Sequence, residues 1–271
     1  MLTRFVPTSI AVFLLLTACG SNDGTSGVAG QPAAELPPRV MTFNTGIPDC
    51  ENSEEAEYTC DDAAIADEWY GNGLSFVAIM DDTRSFFDAI RPDIIGFQEI
   101  FHPGLCPEIP SEFHTGFVCE NWQSGDPTVA QRILGSDYQV ACHPGRPDKC
   151  IAVRSGFGRF QGCDAAVCLD HLDAGDDDDC GGGTRIARGV IELTDGNQLT
   201  VVNIHGTSGI TQEDQACRVR QFDQVFVEFH HHCIENRSAG ETAEIVRSIN
   251  QLGLTSFTLD DHNVLFYWLD R

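Results

Sequence analysis

Three apolar runs along the chain each end in a polar side chain. They lie at Arg39–Asn44, Pro92–Glu99 and Leu199–His205, and they end in an asparagine, a glutamate and a histidine. Runs of this length and composition predict buried strands. In layered α/β folds, active sites collect at the carboxyl ends of strands. The pattern therefore predicts an amide, a carboxylate and an imidazole converging on one rim.

The rest of the chain alternates predicted helices with predicted strands. Apolar residues at helical spacing predict helices over Leu74–Ile90 and Thr211–Phe229, with a further helix over Glu241–Leu252. The segments up to Tyr70 and from Phe101 to Gly135 are predicted to be mostly loop. Further strands are predicted at Tyr138–Cys142, Cys150–Ser155, Arg185–Leu193, Gln198–His205 and Val264–Trp268, with a possible hairpin over Phe160–His171. This alternation favours an α/β or α+β fold over an all-β fold.

Residues 1–19 have the features of an export signal. Arg4 precedes the apolar stretch Ile10–Leu16, which is too short to span a bilayer, and Leu16–Cys19 resembles the lipobox of bacterial lipoproteins. An ordinary secretory signal and a membrane anchor are the alternatives. On the lipobox interpretation Cys19 is lipidated, and residues 20–38, rich in Gly, Ser, Ala and Pro, form a flexible tether. This predicts a protein anchored in the bacterial cell envelope, on its periplasmic or extracellular face.

Export implies that cysteines in the body of the chain form disulfides. Short sequence separations suggest the pairs Cys50–Cys60, Cys142–Cys150 and Cys163–Cys168. A zinc site is the rival interpretation, but the chain has no C-x-x-C pair. The remaining body cysteines are Cys106, Cys119, Cys180 and Cys217, with Cys233 left over.

The formal net charge of −25 disfavours indiscriminate nucleic-acid binding, and no basic patch with interleaved aromatics occurs. Solubility outside the cell explains such a charge equally well. The acidic segment Asp173–Gly183 has carboxylates suited to calcium, but it lacks EF-hand spacing, and we favour a solvated loop.

The strand-end residues suit phosphoester chemistry. Glu99 is a plausible magnesium ligand, because one carboxylate with waters and substrate suits that ion. Asn44 could bond a phosphate oxygen or a metal-bound water, and His205 could donate to the phosphoryl group or protonate a leaving oxygen. Arg188 could reach a phosphate. Taken singly, each residue also fits a structural role, as a turn former, a strand exit or a buried histidine.

In order and setting, the motifs Val40–Asn44, Arg91–Glu99 and Val202–Thr207 resemble the endonuclease/exonuclease/phosphatase superfamily. That group includes deoxyribonuclease I-like nucleases, neutral sphingomyelinases and inositol polyphosphate phosphatases. The resemblance implies a four-layered α/β sandwich, with two face-to-face sheets and outer helices. It also implies phosphoester cleavage dependent on Mg²⁺ or another divalent cation. By position it assigns the metal to Glu99, a polar site role to Asn44 and the catalytic histidine to His205.

One motif of that superfamily is missing. A Gly-Asp-x-Asn strand end is expected after the helix that follows His205, where its Asp activates water, but the chain continues with His230–His232 and contains no such motif. The superfamily also has a final Asp-His pair, which the dipeptide Asp261-His262 matches. This dipeptide comes too early in the chain, and we attribute the match to chance rather than to homology. We therefore delimit a domain at 39–229 with an incomplete C-terminal half, followed by a divergent tail at 230–271. Frameshift, truncation and true divergence are the open explanations.

The resemblance implies a Mg²⁺-dependent hydrolase of phosphoester bonds, and the absence of the family's water-activating Asp implies weak or absent activity. The acidic charge favours a small phosphoester or lipid head group over nucleic acid as substrate, although a local metal can outweigh it. The alternative is a non-enzymatic, disulfide-stapled surface lipoprotein that binds a ligand or partner. The sequence makes no prediction about the oligomeric state.

Overall fold

The computed structural model describes residues 38–47, 50, 56–175, 186–207, 211–221 and 263–270, with residues 146, 175 and 263–270 described by their backbone only. The strands are β1 Val40–Asn44, β2 Ile94–Gln98, β3 Tyr138–His143, β4 Arg146–Arg154, β5 Gly158–Phe160, β6 Val167–Cys168, β7 Asp173–Gly175, β8 Ile186–Leu193, β9 Gln198–His205 and β10 Asn263–Asp270. The helices are α1 Cys60–Ile65, which continues as a π-helical turn over Ala66–Tyr70, α2 Val77–Ile90, α3 Val129–Leu134 and α4 over residues 212–221.

The first sheet has the strand order β1-β2-β4-β3-β6. Strands β1 and β2 are parallel, with Asn44 opposite Gln98, so their carboxyl ends meet at one rim. Strand β4 runs antiparallel to β2 and begins at that same rim, because Cys150 lies opposite Phe97. A tight turn joins β3 to β4, and β6 lies parallel to β3 at the far edge.

The second sheet has the order β10-β9-β8-β5, and β7 also pairs with β8. The predicted strands Arg185–Leu193 and Gln198–His205 are confirmed, and they form an antiparallel hairpin that turns near Thr194. Strand β10 pairs with β9 along its whole length, with Asn263 opposite His205. The predicted strand Val264–Trp268 is therefore confirmed and lies in this sheet, within the segment that we delimited as a divergent tail.

Two hydrophobic cores lie on opposite faces of the first sheet. One face shares a core with the second sheet, to which Ile94 and Ile151 contribute from one side and Ile191 and Val201 from the other. The opposite face packs against the helices, through the buried side chains Phe87, Ile95, Phe97, Ile133 and Val140. Alternation along a strand explains why neighbours such as Ile94 and Ile95 enter different cores. The structure confirms a mixed α/β architecture with two sheets.

Two local predictions were wrong. The segment before Tyr70 contains helix α1, which begins at a capping box formed by Thr59 and Asp62. The segment Phe160–His171 does not form a hairpin, because β5 joins the second sheet and β6 the first. The Gln139 side chain holds this segment by accepting from Phe160 N at 2.7 Å and donating to the backbone of residues 163 and 165.

Disulfides form as the cysteine spacing predicted. The structure confirms Cys50–Cys60, Cys142–Cys150 and Cys163–Cys168, and it adds Cys106–Cys119. Each closes a short loop, and such links stabilise a fold chiefly by restricting the unfolded chain. Cys180 and Cys233 lie outside the described residues.

Within the described ranges, no helix is both long and apolar enough to cross a bilayer. The predicted signal at 1–19 and nearly all of the predicted tether at 20–38 lie outside those ranges.

Asp93, in the Pro-Asp-Ile-Ile stretch of the second apolar run, has a structural role at the far end of the first sheet. Its carboxylate accepts from the backbone N of Arg39 at 2.8 Å and from the Arg154 guanidinium. Its backbone N donates to Arg39 O at 2.7 Å, and its carbonyl accepts from Arg154 N at 2.9 Å. One residue therefore joins β1, β2 and β4, so this part of the motif concerns folding rather than chemistry.

Replacing Asp93 with Ala should lower the free energy of unfolding by about 3 kcal/mol, because it leaves the Arg154 guanidinium without its buried partner. The side chain of Asp93 is only 10 % exposed and that of Arg154 26 %. Asp137→Ala is the matched control, since it breaks the exposed Arg91–Asp137 pair and should cost less than about 1 kcal/mol. Urea unfolding of both variants measures the difference, and equal losses would contradict the assignment.

Candidate functional site

Glu99 and His205 meet at the rim where β2 and β9 end. His205 Nε2 lies 3.0 Å from Glu99 Oε1, and the His205 side chain is 12 % exposed. The two residues come from different sheets, so the contact spans the sandwich. The structure thus brings together two of the three predicted strand-end residues. Nε2 donates in this bond, and Nδ1 has no hydrogen-bond partner among the described residues.

Asn44, the third strand-end residue, belongs to the same group. Its side chain hydrogen-bonds the Glu99 carboxylate, and its Oδ1 accepts from Gly46 N at 2.8 Å. The hydrogen bond from His205 is the main cause that lowers the pKa of Glu99, against the opposing effect of burial. The Asn44 bond and the positive charge of Lys149 lower this pKa further. Glu99 is therefore a carboxylate at neutral pH, in the form that binds cations.

A buried polar pair lies beneath the site. Gln98, immediately before Glu99, donates from its side-chain amide to Asn203 Oδ1, and both residues are almost fully buried. Asn203 Nδ2 donates in turn to Phe97 O at 2.7 Å and to Cys150 O at 3.2 Å. This pair ties the two sheets together one residue before Glu99 and two residues before His205. It thus sets the separation across which the carboxylate and the imidazole meet.

Gly46 leaves open the space in front of the carboxylate. A Cβ built on Gly46 would lie 3.5 Å from Asn44 Oδ1 and 3.7 Å from Glu99 Oε2. The oxygen of Glu99 that His205 does not contact therefore faces the same small volume as the Asn44 amide oxygen. A carboxylate and an amide oxygen are hard donors, which Mg²⁺ prefers.

The described residues contain no cluster of three or more His, Cys, Asp or Glu that could hold a metal ion. Among the described residues, Glu99 and Asn44 would give an ion at this rim two protein oxygens, and water and substrate would fill its other positions. Mg²⁺ commonly binds in this way, with one carboxylate and several waters, so the residues fit that ion.

Two further residues at this rim escaped the sequence analysis. Lys149 is the only lysine in the chain, is 2 % exposed and lies 2.7 Å from Asp148 Oδ2. Because every other Lys or Arg position in the chain is an arginine, the sequence alone could have marked this lysine as a candidate. Asn72 is fully buried and donates from Nδ2 to Thr45 Oγ1 and to Glu99 O. No sequence pattern marked Asn72, because it lies between helical turns without periodicity.

Arg188, the predicted phosphate-binding residue, is not part of this group. It lies opposite Val202 on β9, so strand alternation puts it on the other face of the second sheet from Asn203 and His205. There its guanidinium contacts Asp173 Oδ2 at 3.0 Å. We expected Arg188 to lie near the rim because its strand directly precedes the strand of His205. That expectation did not take into account which face of the sheet each side chain occupies.

Other residues and segments that the sequence singled out lie outside the described ranges. These are Cys19, the His230–His232 run, Asp261, His262 and most of the acidic segment Asp173–Gly183.

A groove of about 550 Å³ lies at the opposite end of the sandwich, lined partly by Gln139, Arg159 and Glu192. Three of its polar side chains already have partners. The Gln139 amide is bonded to backbone groups, and Arg159 Nε lies 3.6 Å from Glu192 Oε2. The groove presents no convergent set of reactive groups, so we place the candidate site at the Glu99 rim instead.

Comparison with family models, with curated proteins and with solved structures finds no match for this chain.

Substitution of Gly46 by Val should fill the space between Asn44 and Glu99. Since Cβ contacts at 3.5 and 3.7 Å are ordinary packing distances, the fold should tolerate the side chain. The branched methyls would exclude a hydrated ion, and we expect Mg²⁺ affinity to fall by about tenfold or more. Calorimetric titration checks this, with Gly156→Ala, far from the rim, as control. Unchanged affinity in Gly46→Val would show that no ion occupies this space.

Proposed function

We propose that this chain carries a Mg²⁺-dependent phosphoester hydrolase site of the endonuclease/exonuclease/phosphatase type, within a four-layered α/β sandwich. The main support is the 3.0 Å contact between His205 Nε2 and Glu99 Oε1. It joins the ends of two strands from different sheets, beside Asn44. A structural role alone does not require three such side chains at one rim. A carboxylate, an imidazole and an amide do suit the binding of a cation and a phosphoryl group.

Each residue has a distinct part in the proposal. Glu99 would hold the ion through Oε2, while His205 keeps Oε1 and orients the carboxylate, as outer hydrogen bonds do at metal sites. Asn44 would bond a phosphoryl oxygen or a metal-bound water. When bound, Mg²⁺ supplies positive charge against the phosphoryl oxygens. His205 also offers an imidazole that could move a proton to a leaving oxygen.

Turnover should be slow. The chain has no Gly-Asp-x-Asn motif, so the residue expected to accept a proton from the attacking water is absent from the sequence. The missing base removes one source of rate enhancement, typically about 10²–10⁴-fold, but leaves the proposed cation site.

A small phosphoester or a lipid head group is the substrate class that the proposal favours. The net charge of −25 repels polyanions such as nucleic acid, and the lipobox-like Cys19 would hold the protein against a membrane in the cell envelope.

The test is hydrolysis of bis(p-nitrophenyl) phosphate by the whole chain, with Mg²⁺, with Ca²⁺ and with EDTA. The proposal expects slow product release with Mg²⁺ that stops on chelation. Mg²⁺ binding without any turnover would favour the alternative function, a surface lipoprotein that binds a ligand without cleaving it; the missing motif is the observation on its side. Absence of both binding and turnover would overturn the proposal.

A further inference from the structure

We propose that Asn72 is the positioning residue of the rim: its side-chain amide holds Glu99 in the backbone conformation that turns the carboxylate toward His205. Its predicted effect on Mg²⁺ affinity rests on the proposed function, whereas its predicted effect on the Glu99–His205 contact does not.

Asn72 lies in a short connection that is packed directly beneath the rim. It precedes the 3₁₀ turn Gly73–Ser75, and it has no solvent exposure. The turn is held in place at two points: Ser75 Oγ donates to Asn72 O at 2.5 Å, and Gly73 N donates to Gly46 O at 2.7 Å. The backbone of Asn72 is thus fixed against the loop that contains Gly46.

The two hydrogens of the Asn72 amide reach the two chain segments that form the rim. Nδ2 donates to Thr45 Oγ1, next to Asn44, and to the carbonyl oxygen of Glu99 itself. Thr45 continues the connection, because its N and Oγ1 both donate to Gln98 O, at 3.0 and 3.1 Å. One side chain therefore links the loop after β1 to the loop after β2, and with it the positions of Asn44 and Glu99.

Glu99 needs such support because its conformation is unusual. Along β2, Ile95 and Phe97 face the helices, so continued alternation would send Glu99 to that face as well. Instead its φ is +62°, in the left-handed region that residues with a side chain rarely adopt, and its carboxylate contacts His205 of the second sheet. Strained backbone of this kind persists only where neighbouring contacts enforce it. The bond from Asn72 to Glu99 O is such a contact.

The unpaired side-chain oxygen of Asn72 indicates that the main contribution of this residue is not to the stability of the whole fold. Oδ1 is buried and has no hydrogen-bond partner among the described residues. A buried, unpaired amide oxygen destabilises the folded state, and this offsets part of what the two donated bonds contribute. Truncation of the side chain should consequently disturb the rim more than it lowers the melting temperature.

The experiment observes His205 directly in the metal-free chain. Histidine-labelled protein is studied by ¹H–¹⁵N spectroscopy, and the His205 signal among the nine histidines is assigned by its loss in His205→Gln. We compare Asn72→Ala and Asn72→Asp with the control Ser75→Ala, which removes a hydrogen bond from the same turn without touching the rim. Asn72→Asp keeps the shape but removes both donated bonds and places a carboxylate oxygen against the carbonyl oxygen of Glu99.

In wild type and Ser75→Ala, we expect a slowly exchanging His205 Nε2–H signal, as its bond to Glu99 predicts. Both Asn72 variants should lose that signal and weaken Mg²⁺ binding about tenfold. Unchanged His205 signals in folded Asn72 variants would overturn the proposal. Loss of the signal in a protein whose wild type binds no Mg²⁺ would support the positioning role and refute the proposed function.

If Asn72→Ala does not fold, Thr45→Val still tests the proposal. Thr45→Val removes the hydroxyl between Asn72 and Gln98 O but leaves the bond to Glu99 O, so it should weaken the His205 signal partially. Unfolding of all three variants, under conditions where Ser75→Ala is folded, would make Asn72 a residue of the fold and overturn the assignment.

Discussion

Glu99→Gln is expected to abolish Mg²⁺-dependent hydrolysis and to weaken Mg²⁺ binding by at least about 100-fold. The substitution keeps the shape of the side chain, and the amide oxygen can still accept from His205 Nε2. It removes the negative charge, which is the dominant attraction for a hard cation at a rim with no acidic cluster among the described residues. The fold should be preserved, because no hydrophobic contact changes.

Calorimetric titration with Mg²⁺ and release of p-nitrophenol measure the two effects. Glu192→Gln is the matched control, since it makes the same charge change at the opposite end of the sandwich, beside Arg159. Robust metal-dependent turnover in Glu99→Gln would show that the site lies elsewhere in the molecule. Equal losses in both variants would show that net charge rather than the rim attracts the ion.

His205 should have two separable effects, which a pair of substitutions distinguishes. His205→Ala removes the donor to Glu99 Oε1, so Mg²⁺ affinity should fall about tenfold as the carboxylate loses its orientation. His205→Gln retains an N–H donor of similar reach and should keep most of that affinity. Both variants should lose about 100-fold in turnover, since neither can exchange a proton as an imidazole does.

Rates with saturating Mg²⁺ and affinities by titration separate these effects. His171→Gln is the control, because this half-buried histidine lies outside the Asn44, Glu99 and His205 group, where it bonds Gln161 O at 3.0 Å and packs edge-on against Phe160. A wild-type rate in His205→Gln would restrict His205 to orienting Glu99. Unchanged affinity in His205→Ala would mean that the 3.0 Å contact does not orient the carboxylate.

Much of the fold followed from local patterns. Apolar runs predicted β1, β2, β8 and β9, and periodic apolar positions predicted α2, because burial on one face imposes a repeat on the residues themselves. Three disulfides followed from spacing, since cysteines five to ten residues apart are brought together by a single loop. Helix α1 was missed, because six residues with a capping box give a weaker signal than a long amphipathic stretch.

The convergence of Asn44, Glu99 and His205 was also predictable, because each follows directly from the end of a buried strand. The sequence determined which side chains stand at strand ends, since a run of apolar residues marks its own terminus. Only the tertiary structure decided which of them meet. It turned Glu99 from the helix side to His205 and placed Arg188 on the far face of the second sheet. It also brought Asn72 and Gly46 against the carboxylate from connections without periodicity. The physical reason is that the alternation of side chains along a strand determines only which residues of that strand share a face. Which face meets which partner depends on long-range packing.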